Sequence, residues 1–188
     1  MSPTVIDKIR WTTADLELLP NDGKHYEIIN GDLFVTRAPD WKHQKVCVKV
    51  ASKLEIWSTQ TNRGSTAISP GIIFTDADNV IPDVVWASNE RLAEILDEAG
   101  HLTGAPELVV EVLSPGAEQE RRDREVKLKL YSIQGVREYW IFNRQQIKVE
   151  IYRRENGILK LAVTLFREDN LTSPLLPEFS CPVEILFK

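Results

Sequence analysis

The stretch Glu107-Leu108-Val109-Val110-Glu111-Val112-Leu113-Ser114-Pro115-Gly116 decides how this chain is read. Its apolar run is broken only by Glu111, is short for a helix, and shows no regular polar alternation. That is the pattern of a strand buried on both faces near the middle of an α/β sheet. Ser114-Pro115-Gly116 ends it, because proline cannot donate to a sheet ladder and glycine favours a turn. A carboxylate inside such a strand is costly unless it is paired or bound to a metal, so Glu111 marks a candidate site.

Upstream, Ile81 to Trp86 reads as a second strand carrying Pro82-Asp83 ahead of Val84-Val85-Trp86, with Ile72-Ile73-Phe74 before it and a turn over Asp76-Ala77-Asp78-Asn79 between them. Glu90 to Asp97 is a short helix. Downstream, residues 118–134 predict a long helix with Val126, Leu130 and Ile133 on its core side and Gly135 as its C-cap. Arg137 to Phe142 is another buried strand. From Ile147 to Lys188 two or three strands are expected, turning at Glu155-Asn156-Gly157.

Towards the amino terminus, Thr12-Thr13-Ala14-Asp15 has the form of a capping box ahead of a short helix ending at Pro20-Asn21-Asp22-Gly23. His25-Tyr26-Glu27-Ile28-Ile29 and Asp32-Leu33-Phe34-Val35-Thr36 flank Asn30-Gly31, a strong short hairpin signal. Residues 42–58 read as a helix, with Val46, Val50, Leu54 and Trp57 recurring on one side. His43 falls on that side, and Lys42, Lys45, Lys49 and Lys53 form a separate stripe. Asn62-Arg63-Gly64-Ser65 breaks the chain. The order of elements predicts a mixed sheet with helices packed on it.

The 188 residues suit one domain, 1–188, without repeat or linker. No run reaches the roughly 18 apolar residues of a membrane span. The start Met1-Ser2-Pro3-Thr4-Val5-Ile6-Asp7 lacks the blocks of a secretory signal, and two cysteines make no disulfide framework. A cytoplasmic protein is expected. With 23 Lys+Arg against 28 Asp+Glu the net charge is −5, which argues against a broad basic coat for nucleic acid. It leaves room for an acidic site that gathers a metal ion first and an anionic substrate second.

If the strands of Asp83 and Glu111 are neighbours, both carboxylates can face one concave spot. Hard oxygen ligands with room for water suit Mg²⁺ or Mn²⁺. The same residues also fit two salt-bridged carboxylates. Lys127 lies at the rim of the apolar helix face with Asp123 and Tyr131 one turn away, and Lys129 flanks it from the other side. On periodicity alone, a surface pair of Lys127 with Asp123 is the simpler reading. Glu27 next to a tight hairpin reads as solvent-facing, His43 as a satisfied core or boundary histidine, and Cys47 as core. No glycine-rich phosphate loop, nucleophile elbow or zinc spacing occurs.

Taken together, Tyr26 to Leu33, His43 opening a helix, Pro82-Asp83-Val84-Val85, Pro106 to Pro115, the Asp123, Lys127, Tyr131 series and Gly135 to Ile141 form an ordered set. In that order they resemble the PD-(D/E)xK restriction-endonuclease-like superfamily, and more closely its Uma-type endonuclease family, over about residues 10–187. The resemblance implies an α/β fold with a mixed central β-sheet flanked by helices, preceded by the amino-terminal helix and hairpin. It implies catalytic Asp83, Glu111 and Lys127, and Mg²⁺ or Mn²⁺ held by Asp83, Glu111 and the backbone carbonyl of Val112. Glu27 matches an early acidic position that completes the cluster, and His43 and Tyr131 fall at binding positions. The superfamily lysine stands two residues after the acid, where this chain has Leu113, so the role moves to Lys127. The implied activity is metal-dependent hydrolysis of nucleic acid, DNA first, with no membrane partner. A homodimer would suit the cutting of both strands. The alternative is a catalytically silent nuclease-like fold that binds nucleic acid or another protein.

Overall fold

A computed structural model describes residues 9–188. The Met1–Asp7 stretch read for a leader lies outside the described residues, as does the start of the expected domain 1–188.

Thr12 caps the short helix α1 (Thr13–Leu16), with Asp15 closing the capping box. The strands β1 (His25–Ile29) and β2 (Asp32–Thr36) form the expected hairpin. Asn30 and Gly31 both take positive φ, 52° and 76°, the pair of left-handed residues such a two-residue turn needs. Asp40 then caps α2 (Trp41–Thr61), accepting the His43 N–H at 2.8 Å. This helix is longer than expected, but its buried side is as read, with Val46, Val50, Leu54, Trp57 and His43 all inside.

There follow β3 (Gly64–Ile68), β4 (Ile72–Thr75), β5 (Asp78–Val80), β6 (Val84–Ser88), α3 (Asn89–Ile95) and β7 (Leu108–Val112). A helical stretch runs through α4 (Ala117–Arg121), a π-helical turn (Arg122–Lys127) and α5 (Leu128–Gln134). Then come β8 (Glu138–Asn143), β9 (Lys148–Glu155), β10 (Ile158–Leu165), β11 (Asn170–Ser173), β12 (Leu176–Pro182) and α6 (Val183–Phe187).

The main sheet has the order β10-β9-β8-β7-β6-β3, so the apolar stretch around Glu111 lies in its interior. β7 pairs antiparallel with β6 and parallel with β8. A parallel pair needs a long crossover, which the helical stretch 117–134 supplies. The alternation of β7 divides the interior. Leu108, Val110 and Val112 face the layer of α2, β12 and α6. Val109 and Leu113 face the layer that holds Leu130, Tyr131, Ile72 and Ile29. Glu111, between Val109 and Leu113, belongs to this second face. A smaller sheet, β2-β1-β5-β4, brings the amino-terminal hairpin beside it.

Four expectations change. Gly64–Ile68 is an edge strand and not a break, paired to β6. Gly64 is required there, because a Cβ would lie 2.3 Å from the Ala87 carbonyl and 2.7 Å from the Trp86 ring. The turn-like Asp78-Asn79 belongs to β5, which pairs with β1 and β4, so Asp83 sits in a bend just before β6 and not within a strand. The carboxy-terminal region holds four strands and a closing helix. Ile133, expected in the core, is 70% exposed. The π turn is wider than an α turn, which rotates the following face and carries Lys127 and Tyr131 inward instead.

Candidate active site

Residues from β1, α2, β7, the π turn and the bend before β6 converge on one cavity of about 540 Å³, lined among others by Glu27, His43, Asp83, Glu111, Asp123 and Lys127. Each arrives for a local reason. Glu27 is carried by β1, Glu111 by β7, and Asp83 by the bend that precedes β6. β6 starts at Val84, opposite Val110, so the edge of β7 beyond that pair is free. Asp83 Oδ2 fills this gap, accepting the Val112 N–H at 2.7 Å. In an extended strand the N–H and C=O of one residue share an edge, so the Val112 carbonyl points to the Asp83 side as well.

The acids are not free surface groups. Lys127 Nζ lies 2.8 Å from Glu111 Oε1 and 2.8 Å from Glu27 Oε1, and it is 1% exposed. Tyr131 Oη donates to Glu111 Oε1 at 3.1 Å. Glu27 Oε1 also accepts the Ile81 N–H at 2.8 Å. His43 Nε2 lies 3.2 Å from Asp83 Oδ2, while its Nδ1 meets the Cys47 thiol at 3.5 Å. Asp83 thus commits Oδ2, and Glu111 commits Oε1, leaving Oδ1 and Oε2 to accept a hydrogen bond or ligate a cation.

The electrostatics follow from burial. Glu27, Asp83, Glu111 and Asp123 are four carboxylates facing two permanent cations, Lys127 and Arg122, so full ionisation would leave two negative charges uncompensated, and the site resists it. Burial pushes the Glu111 carboxyl well above the ordinary range; Lys127 opposes this, and Asp83, Asp123 and Glu27 add to it. Asp123 is raised chiefly by burial. Asp83 goes the other way: burial raises it, but the His43 ring, the Val112 N–H and Lys127 together hold it low. Burial works against the charge on Lys127, and Glu111 and Glu27 outweigh it, so this side chain stays an ammonium.

The predicted residues Glu27, His43, Asp83, Glu111, Lys127 and Tyr131 are therefore brought together. Lys127 meets Glu111 and Glu27 and not a solvated Asp123; Lys129 is exposed. Glu27 is buried and not solvent-facing. Sequence reasoning missed Arg122, whose Nη1 lies 3.6 Å from Glu27 and whose Nε donates to Asp123 at 3.1 Å. Only the π turn, which no periodicity signals, turns it inward.

Among the described residues one group of His, Cys and acid donors also lies close together: His43, Cys47 and Asp83. The thiol meets one ring nitrogen and the carboxylate the other, so the imidazole stands between them as a hydrogen-bonded chain. Burial raises the Cys47 thiol, disfavouring the thiolate a metal needs. The oxygen donors of Asp83, Glu111, Glu27 and Val112, with excess negative charge, fit a hard divalent ion better.

No described helix is long and apolar enough to cross a membrane. A comparison with curated proteins finds no match. Among solved structures, the chain resembles a "putative nuclease belonging to DUF820" from Anabaena variabilis. Identity is 17%, the TM-score is 0.73, and the match covers 94% of this chain and 97% of that one. At that identity the likeness shows the nuclease-like fold alone. The Uma2 family model, described as "Putative restriction endonuclease", matches residues 13–184. The chain belongs to the Uma2 family.

Proposed function

We propose that this chain, 1–188 acting as one domain, is a metal-dependent endonuclease that hydrolyses phosphodiester bonds of DNA. The observation that carries the reading is the convergence of Glu27, Asp83 and Glu111 on one cavity, with a buried lysine clamped 2.8 Å from two of them. Family membership supports the nuclease class.

Asp83, Glu111, the Val112 carbonyl and Glu27 would hold Mg²⁺ or Mn²⁺. When bound, the ion supplies a water of lowered pKa and charge neutralisation at the phosphate. The protein's own part is positional and electrostatic. His43 fixes Asp83 through Nε2, and Tyr131 fixes Glu111. Lys127 has three N–H donors; two engage Glu111 and Glu27, and the third is left for the attacking water or a phosphate oxygen. As an ammonium it does not take the proton from that water. It orients the water and stabilises negative charge as it develops.

The test is incubation of supercoiled DNA, linear DNA, single strands and RNA with Mg²⁺ or Mn²⁺, beside Glu111→Ala and Lys127→Ala proteins. Metal-dependent cutting of DNA by the wild type, lost in both variants, is the expected result. A wild-type rate in an Asp83→Ala protein would sink the assignment. The silent binding module is the competing reading, favoured by the acidic balance of −5; it predicts no cutting and no Mn²⁺ affinity through Asp83 and Glu111.

A further inference from the structure

Three tryptophans, Trp57, Trp86 and Trp140, are 7%, 3% and 0% exposed, while Trp41 is 81% exposed. Its indole makes no hydrogen bond, ion pair or ring contact with the described residues. Large aromatic surface left in water is uncommon, since tryptophan is on average well buried. Its place is also unusual. Trp41 is the first residue of α2, directly after Pro39 and Asp40, which both line the acidic cavity.

The mount is rigid. Asp40 caps the helix through the His43 N–H, and Arg144 grips both Asp40 oxygens at 2.8 and 2.9 Å. His43, two residues beyond Trp41, contacts Asp83. Trp41 thus shares the first turn of α2 with His43, and at a spacing of two the side chains part, His43 into the cavity and Trp41 into solvent beside the cavity-lining Pro39 and Asp40. Arg37, exposed on the cavity rim, and Lys42, exposed beside Trp41, form no ion pair within the described residues.

At about 540 Å³ the cavity falls within the size of a small-ligand pocket. It adjoins a second cavity of about 330 Å³, sharing Val35, Thr36, Gln119 and Arg122 with it, so a trough runs between β2 and α4. Such a trough suits a few nucleotides of one strand. Of the stripe Lys42, Lys45, Lys49 and Lys53 on α2, none lines either cavity, so the cavities themselves offer few cations for the many phosphate contacts of a duplex. Sequence-tolerant binding of single strands instead joins a few cations to aromatic platforms on which bases stack.

We propose that Trp41 is a stacking platform for an unpaired base of a single-stranded DNA segment led into the cavity, with Arg37 and Lys42 meeting its phosphates, a role that rests on the nuclease reading of that cavity. Such a site works within one chain, without the two-fold pair that cutting both strands would want.

The test is binding, measured by anisotropy with Ca²⁺ in place of Mg²⁺, of a short labelled DNA single strand, its blunt duplex and the matching RNA strand. Wild type, Trp41→Ala and Trp41→Phe are compared. Loss of one stacked base corresponds to roughly a tenfold or greater weakening. The expected result is that loss for the DNA strand with Trp41→Ala, duplex binding within about twofold of wild type, and recovery of most affinity by Trp41→Phe. Quenching of the indole fluorescence by the strand should disappear with Trp41→Ala. Unchanged strand binding by Trp41→Ala, or an equal loss on strand and duplex, would overturn the platform while leaving the nuclease reading intact. A stronger Trp41 effect on the RNA strand would overturn the DNA assignment. No binding of any nucleic acid by the wild type would overturn both readings.

Discussion

Replacing Lys127 with methionine removes one cation from between two buried carboxylates. Nζ lies 2.8 Å from Glu111 and 2.8 Å from Glu27, and all three side chains are 4% exposed or less. Breaking a buried charge set by deleting one partner costs about 3–5 kcal/mol, because the remaining charges are left without compensation. For a chain of this size each kcal/mol moves Tm by about 2–4 °C, so Lys127→Met should melt roughly 10 °C lower at neutral pH. The loss should also depend on pH. Burial holds Glu111 above its ordinary range, so the folded chain binds its proton more tightly than the unfolded chain does. The stability linked to that proton is fully present below the unfolded carboxyl range, and it is lost as pH rises through the folded value. Without Lys127, the charge that opposes this shift is gone and the folded value rises further. The variant's deficit should therefore be smallest in mild acid and grow toward pH 8. Thermal unfolding across that range, in EDTA, reads it directly. A Lys127→Met protein with wild-type Tm at every pH would refute the clamp and the electrostatic picture built on it.

Glu111→Gln keeps the shape and removes a charge that the fold disfavours, so its Tm at pH 8 in EDTA should equal or exceed wild type while metal-dependent cleavage is lost; paired melting and cleavage assays check this. Mn²⁺ must displace the proton that burial favours on Glu111, so its affinity should rise with pH, by up to about tenfold per unit below the folded value, as titrations at several pH values would show. Arg144 and the His43 N–H hold the Asp40 carboxyl down to about 2. Its share of stability is therefore present above the ordinary carboxyl range and is lost between about pH 4 and 2. Asp40→Ala should cost about 1 kcal/mol by chemical denaturation at neutral pH, a figure set by the cap since the side chain is half exposed. Gly64→Val should destabilise by several kcal/mol, because the Ala87 backbone oxygen 2.3 Å from the new Cβ cannot move aside.

Much of the frame is legible in the sequence because its signals are local. The apolar run around Glu111 marks the central strand, Asn30-Gly31 sets a hairpin, and the spacing of Val46, Val50, Leu54 and Trp57 gives the buried side of α2 with His43 on it. The cost of burying Glu111 marks a site from the sequence alone. The family resemblance, and not periodicity, singled out Lys127 and raised Glu27 above a surface acid. What was illegible is set by tertiary contact. The π turn over Arg122–Lys127 moves Ile133 out and Arg122 and Lys127 in, and a regular helical wheel contains no trace of it. Gly64–Ile68 is small and polar, and only pairing along β6 makes it a strand. Asp83 reads as a strand residue but occupies a bend, where its carboxylate replaces the missing ladder partner of Val112.

A divalent ion held by Asp83 and Glu111 is what the proposed chemistry requires. Calorimetric titration of Mn²⁺ into the wild-type, Glu111→Gln and Cys47→Ser proteins reads it. One strong site is expected in the wild type, at least tenfold weaker in Glu111→Gln and unchanged in Cys47→Ser. Affinity that survives in Glu111→Gln but falls in Cys47→Ser would contradict it, placing the ion among His43, Cys47 and Asp83 instead.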